Sequence, residues 1–98
     1  MATPLHFAIL AQNAQNVRIM IGAGAHVNMK DSTGNTPMHM AVASKNLPII
    51  RILDDNGADA RIKNQDNFSA IDVAVTEDLR EAKLHFMSKA KYRNYDFG

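Results

Sequence analysis

One six-residue phrase occurs twice in this chain, 33 residues apart. It reads Thr-Pro-Leu-His-Phe-Ala from residue 3 and Thr-Pro-Met-His-Met-Ala from residue 36, and a weaker copy, Ser-Ala-Ile-Asp-Val-Ala, begins at residue 69. When residues 3–35 are aligned with residues 36–68, ten positions are identical. A fixed period of this length predicts a stack of small helical units that share one continuous core.

Each unit is predicted to contain two short helices, called helix A and helix B. In the second unit Thr36 is a good N-cap, Pro37 suits the first helical position, Asn46 can cap helix B and Gly57 can end it. Apolar residues at helical spacing mark helix B in both full units: Val17, Ile19 and Met20, then Ile49, Ile52 and Leu53. Helices this short are unstable alone in water, so they must pack on neighbours.

The third unit departs from the pattern. Ser69 still caps helix A, but alanine and aspartate stand where the other units have proline and histidine. We expect its helix B to run from about residue 77 to residue 88. That helix would bury Leu79, Ala82 and Phe86 and expose Arg80, Glu81, Lys83 and Lys89, as the terminal unit of a solenoid requires. Residues 91–98 contain three aromatics but no period, so we expect them to be ordered only if they fold back.

The Thr-Pro-Leu-His-x-Ala phrase at a period of 33 resembles the ankyrin repeat from residue 3 to about residue 88. The resemblance implies an all-α solenoid with repeats 3–35, 36–68 and 69–88 in a domain of residues 1–90, followed by a tail of residues 91–98. It also implies short β-hairpin or loop fingers between the units, at residues 28–35 and 61–67. In the first, Asp31-Ser32-Thr33-Gly34 forms a turn, and Asn67 takes the glycine position in the second.

The resemblance further implies a non-enzymatic scaffold or adaptor that binds a protein through the hairpin tips and the exposed side of helix A. Equivalent hairpin positions hold Met29 and Ile62, and also Lys30 and Lys63, which predicts an apolar row beside a basic row. The expected contact residues are Leu10, Met29, Lys30, Ser32, Thr33, Asn35, Ala43, Ile62, Lys63, Gln65, Asp66 and Thr76. The alternative is that these side chains only cover the backbone.

The histidines do not suggest catalysis. His6 and His39 occupy the same repeat position, and the resemblance implies that they bond the threonine hydroxyl and the backbone between repeats. Neighbouring helices lie about 8–10 Å apart, whereas zinc holds nitrogen at about 2 Å, so the two should not share an ion. We interpret His26 and His85 as surface or boundary residues. No catalytic, cofactor-binding or metal-binding residue is predicted, and no cofactor is expected.

Three other features favour ordinary structural explanations. Gly22-Ala23-Gly24-Ala25 opens like a dinucleotide-binding loop but follows a helix, where ending the helix is the simpler role. The aspartates of residues 54–59 lack calcium-loop spacing. Asp54 stands where the family prefers an apolar residue, and we expect it on the exposed side of a slightly rotated helix, with a contact role as the alternative. Phe68 can pack on Val73 as a hydrophobic staple.

The first unit has no predicted neighbour on its upstream side. Phe7, Ile9 and Leu10 belong to a helix pair that would borrow cover from a longer array, a partner or a second copy of the chain. Self-association through this uncapped pair is therefore one expectation. Leu10 is equally well explained as a contact residue and as one covered by a missing repeat. About three repeats is the usual minimum, so we expect marginal stability.

Composition limits the remaining classes of function. The 98 residues suit one domain, and a net charge of +1 gives no overall attraction to nucleic acid or acidic membranes. No apolar run approaches the roughly 20 residues of a membrane span, and no signal peptide opens the chain. Zero cysteines permits a cytoplasmic or nuclear location. The alternatives are a regulatory or targeting segment of a larger enzyme, channel or ubiquitin-ligase adaptor, a viral or bacterial ankyrin-type mimic of a host inhibitor, and salt-sensitive nucleic-acid binding through scattered lysines and arginines.

Overall fold

The computed structural model describes residues 3–95, which form a stack of three helix pairs. The elements are α1 (Pro4–Leu10), α2 (Ala14–Gly22), α3 (Pro37–Ala43), α4 (Leu47–Asp55), α5 (Ala70–Thr76), α6 (Arg80–Met87) and a 3₁₀ turn at Ala90–Tyr92. Helix α1 packs on α3 and α3 on α5, while α2 packs on α4 and α4 on α6. This is the predicted all-helical solenoid.

The helices begin where the predicted caps stand. Thr3, Thr36 and Ser69 each accept a hydrogen bond from the backbone N–H three residues later, and the side chain of that residue bonds back to the cap. Asn13 and Asn46 cap α2 and α4 in the same way. The third helix B begins without a side-chain cap, because an apolar leucine occupies the equivalent position 79.

The third helix B is shorter than the sequence predicted. It begins at Arg80, not near residue 77, because Asp78 has a positive φ of 51° that breaks the helical path. Gln12 and Lys45 have φ values of 56° and 57°, and the three residues are spaced by the same 33-residue period. The repeat therefore continues through the third unit with its backbone unchanged.

The segments between units are turns, which is the loop form of the predicted β-hairpin/loop fingers. No strand occurs within residues 3–95. The first finger, residues 28–35, closes with a 2.9 Å bond from the Asp31 N–H to the Asn35 carbonyl, and Asp31 Oδ1 accepts 2.9 Å bonds from the Thr33 and Asn35 N–H groups. The second finger, residues 61–67, closes from Asn64 to Phe68 at 2.8 Å. In each turn, one aspartate or asparagine side chain accepts hydrogen bonds from backbone N–H groups. Few backbone groups therefore remain to form a β-ladder.

Residues 91–95 fold back on the stack, as the sequence analysis required for order, and Phe97 lies outside the described residues. Tyr92 is only 1% exposed and packs edge-on against the buried Phe86, with 5.6 Å between ring centroids. Residues 91–95 follow residues 58–62 by 33 positions but share no identity with them, which is why the period was missed. Arg61 Nη1 donates to the Lys91 carbonyl at 3.5 Å, much as Asn28 Nδ2 donates to the Gly57 carbonyl at 3.4 Å. The segment is thus held against residues 58–61 of the second unit.

Candidate functional site

The two fingers lie against each other and form one continuous surface. Asn64 Nδ2 donates to Asn35 Oδ1 at 2.9 Å, and Gln65 Nε2 donates to the Ser32 carbonyl at 2.8 Å. The Gln65 N–H also donates to the Thr33 carbonyl at 3.2 Å. These bonds bring the predicted contact residues of both fingers together. The resulting finger surface comprises residues 29–35 and 62–66.

Close stacking of the fingers requires the glycine at position 34. Gly34 is buried at a φ of 81°, and a Cβ built there would lie 2.8 Å from the backbone nitrogen of Gln65. The equivalent residue of the second finger is Asn67, which is exposed at a φ of 66°. Asparagine tolerates this conformation, and the exposed position 67 has room for a side chain.

Most predicted contact residues are exposed. They are Leu10, Met29, Lys30, Ser32, Thr33, Ala43, Lys63, Gln65, Asp66 and Thr76, whereas Asn35 and Ile62 are half-buried. Leu10, Ala43 and Thr76 end three successive A helices and are related by the 33-residue period. Met29 is 43% exposed, so the predicted apolar row presents chiefly its methionine.

Lys63 is engaged within the chain, unlike the simple basic row that the sequence suggested. Its Nζ lies 3.3 Å from Asp72 Oδ2 and 3.5 Å from the Asn67 carbonyl. Tyr95 Oη donates to the other Asp72 oxygen at 2.7 Å. Burial alone would raise the pKa of Asp72, but hydrogen bonds from the Ser69 N–H, Tyr95 and Lys63 outweigh it and lower that pKa below its ordinary value.

The two repeat histidines are structural, as predicted. His6 Nε2 lies 3.0 Å from the Asn35 carbonyl, and His39 Nε2 lies 2.8 Å from the Phe68 carbonyl. The carbonyl can only accept, so Nε2 carries the proton and Nδ1 accepts from the threonine, as in the 3.0 Å bond from the Thr36 N–H. Burial lowers the pKa of His39 despite the favourable Phe68 carbonyl. Each histidine therefore joins the start of its A helix to the end of the following finger.

Asp54 is buried, and the prediction that it lies on the exposed side of its helix was wrong. Its side chain is 2% exposed, and Oδ2 accepts a 2.9 Å bond from His85 Nε2. Oδ1 contacts Lys91 Nζ and lies 3.2 Å from Tyr92 Oη. His85 is thus a half-buried boundary residue, as predicted, and it has a carboxylate partner. We call Asp54, His85, Lys91 and Tyr92 the Asp54 cluster.

The period explains the position of the Asp54 cluster. Asp54 follows Ile21 by 33 residues, and His85 follows Ile52 by 33 residues. Ile21 and Ile52 line the same groove between α2 and α4. A carboxylate and an imidazole therefore replace an apolar pair at the next junction. The signal available in the sequence was the simultaneous change of both members of this pair.

The tail completes the cluster. The Ala60 N–H donates a 3.0 Å bond to Tyr92 Oη, which also lies 3.2 Å from the Ala58 carbonyl. Burial raises the pKa of Tyr92. Burial alone would lower the pKa of Lys91, but its hydrogen bond to Asp54 outweighs this and raises it. Within residues 3–95, every buried side-chain nitrogen and oxygen has a hydrogen-bond partner, so the cluster serves to join helices and tail.

Neither a metal site nor a membrane span is seen in the described part of the chain. Among residues 3–95, no three histidine, aspartate or glutamate side chains converge closely enough to hold a metal ion. No helix in that range has the length and apolar character needed to cross a bilayer.

Comparison with known proteins identifies the family of the chain. A family model described as ankyrin repeats, in three copies, matches residues 1–82. The match runs from the start of the chain through α5 and into α6. No curated protein sequence matches the chain.

Proposed function

Because the chain belongs to the ankyrin repeat family, we propose that it is a scaffold or adaptor that binds another protein through its finger surface and the exposed ends of α1, α3 and α5. Ankyrin repeats are in general non-catalytic protein–protein interaction modules. The observation that carries the proposal is the joining of both fingers by three direct hydrogen bonds. A surface fixed in this way loses little conformational entropy when it binds.

The chemistry of the surface indicates the kind of partner. Met29 and Leu10 supply exposed apolar area, at 43% and 53% exposure, while Ser32 and Thr33 supply hydroxyl groups. Lys30 and Asp66 add one charge of each sign at exposed positions. Such a surface suits a folded protein face or an extended segment that offers apolar side chains between hydrogen-bonding groups. It gives little attraction to a polyanion, so nucleic acid is not an expected partner.

The test is affinity capture from a lysate of the source organism. We expect Met29→Asp to remove the captured partner, because an exposed methionine at an apolar contact is replaced by a charge. Arg51→Gln is the matched control, since it makes the same change in net charge at an exposed position of α4. Circular dichroism should first show that both variants fold. Equal capture by the natural chain and by Met29→Asp would contradict the proposal.

The remaining functional expectations are also proposals. Phe7 and Ile19 are 61% and 58% exposed on the helix pair α1–α2, which favours self-association through that pair. A cytoplasmic or nuclear location suits a chain without cysteine. A regulatory or targeting segment of a larger enzyme, channel or ubiquitin-ligase adaptor would use the same finger surface. The contacts of the finger surface would then be the same as those proposed for a separate adaptor.

A further inference from the structure

The two ends of the stack both expose large apolar side chains. Phe7 and Ile19 are 61% and 58% exposed at the first unit, and Leu84 and Met87 are 57% and 53% exposed on the last helix. A terminal repeat in contact with water normally has a polar outer face. Arginine occupies positions 18 and 51, which are equivalent to Leu84 by the 33-residue period. The third unit is therefore more apolar at this position than the two units before it.

The junction between α2 and α4 shows what normally covers such residues. Its groove is lined by Arg18, Ile21 and Gly22 on one side and by Pro48, Arg51, Ile52, Asp55 and Asn56 on the other. Ile52 is only 6% exposed there, whereas Ile19, its equivalent one repeat earlier, is 58% exposed. A helix B of the preceding unit is thus what buries this position.

The repeat period identifies a matching surface on the chain itself. Moving two periods along the chain from Arg18, Ile21 and Gly22 gives Leu84, Met87 and Ser88. The residue one period before Ile52 is Ile19. The other residues on that side of the groove have Gln15, Arg18, Gly22 and Ala23 as their equivalents one period earlier. The exposed apolar residues of the last helix B therefore correspond in register to the exposed apolar residue of the first.

We propose that copies of this chain stack head to tail, with α6 of one copy on α2 of the next, so that Leu84 and Met87 cover Ile19. This inference rests on the proposed self-association and adds the second surface that takes part in it. Each such contact would repeat a helix B packing that the molecule already makes twice, between α2 and α4 and between α4 and α6.

The distribution of charge supports this partner. Arg18 is the only charged residue among residues 3–29, if histidine is counted as neutral. Burying the first-unit side of the contact therefore removes few charges from water, and burying unpaired charges is costly. A head-to-tail contact leaves one unused face at each end of the assembly, so the assembly stays open unless it closes into a ring. The average mass of the natural chain in solution should consequently increase with protein concentration and exceed the mass of a dimer.

Sedimentation equilibrium of two blocked variants, Ile19→Lys and Met87→Lys, tests the geometry. Each variant alone lacks one of the two surfaces and should remain near the monomer mass of 10.8 kDa. An equimolar mixture should form a discrete dimer, because intact Met87 of one variant can meet intact Ile19 of the other. The dimer should grow no further, since both of its outer faces are blocked. Phe68→Lys, at 43% exposure and outside α2 and α6, is the control and should associate as the natural chain does.

Other outcomes would overturn the proposal. If Ile19→Lys stays monomeric while Met87→Lys associates alone, the first helix pair self-associates face to face and the head-to-tail geometry is wrong. If the natural chain stays monomeric up to about 1 mM, where only contacts weaker than about −4 kcal/mol would be missed, self-association itself is wrong. The proposed binding through the finger surface is tested separately by Met29→Asp, so the two ideas can fail independently.

Discussion

The two junctions of this stack place side chains of opposite chemistry at the same repeat positions. Between the first and second units, Ile21 and Ile52 line the groove between α2 and α4. Between the second and third, their equivalents Asp54 and His85 form a buried 2.9 Å contact. The helices pack in the same order at both junctions. Repeat geometry therefore fixes which positions face the neighbouring helix. Those positions can hold apolar or polar side chains, provided that each buried polar group has a hydrogen-bond partner.

The difference also shows why the tail belongs to the second junction. A buried carboxylate needs several donors, and a single imidazole does not satisfy both of its oxygens. Lys91 and Tyr92 supply the additional contacts from the chain beyond α6. The apolar junction needs no such segment. The buried polar pair at the second junction and the ordered tail therefore depend on each other.

The largest expected effect comes from converting half of the polar junction. Asp54→Ile leaves His85, Lys91 and Tyr92 facing a buried apolar side chain, and should lower the free energy of unfolding by about 3 kcal/mol. Asp54→Ile/His85→Ile copies the first junction into the second and should recover most of that loss, because well-packed apolar pairs often replace buried ion pairs without cost. Urea denaturation of both single variants and the double variant gives the coupling energy.

This prediction has a clear contrary result. Single changes that add without coupling would show that Asp54 and His85 do not act as a pair. The matched control is Ile21→Val/Ile52→Val in the first junction, where each change should cost about 1 kcal/mol with little coupling beyond packing.

A smaller effect is expected from removing one oxygen of the cluster. Tyr92→Phe keeps the ring against Phe86 but leaves the Ala60 N–H without its 3.0 Å acceptor. The loss should be about 1–2 kcal/mol, the usual cost of a buried donor that lacks a partner. Chemical denaturation measures it, and Tyr92→Ala should cost about 3–5 kcal/mol because it also opens a cavity. Equal losses in the two variants would show that the hydroxyl, and not the ring, carries the stabilisation.

The smallest effect concerns pH and the histidine that joins α3 to the second finger. The pKa of His39 is lowered from 6.5, chiefly by burial, so the folded chain binds this proton less readily than the unfolded chain. Its contribution to stability is present above pH 6.5 and should be lost as pH falls through the lowered pKa of the folded state. We expect a small decline, measured as unfolding free energy against pH.

A glutamine at this position provides the comparison for the pH experiment. His39→Gln cannot titrate, so its stability should be flatter than that of the natural chain just below pH 6.5. At lower pH both proteins should weaken together, because the pKa of Asp72 is lowered from 3.8 and its contribution is lost as that carboxylate protonates. If the stability curves of the two proteins run parallel just below pH 6.5, the assignment of this pH dependence to His39 is contradicted.

The sequence alone predicted those features that depend on local pattern. Thr36, Pro37 and Asn46 marked helix starts because capping is decided within four residues. The start of α6 was missed because Leu79 gives no capping signal, although the period through Gln12 and Lys45 would have placed it. Asp54 was misplaced because its partners are 31, 37 and 38 residues away along the chain. Pairings of that kind are visible only once the helices are stacked.

The same distinction holds for the candidate site. The period predicted which finger residues are equivalent, and the structure joins them into one surface. It could not predict that Lys63 is held by Asp72 or that Ile62 is half-buried. Asp72 belongs to the third unit, where the family pattern is weakest.

The central claim is that a protein partner lies on the finger surface, and site-specific photo-crosslinking tests it most directly. A photoreactive residue would replace Ser32 at the tip of the first finger in one chain and Arg51 on α4 in another, both at exposed positions. The account predicts that irradiation in lysate gives a covalent adduct from position 32 and none of that mass from position 51. An adduct formed from position 51 alone would contradict it and move the contact surface to the B helices.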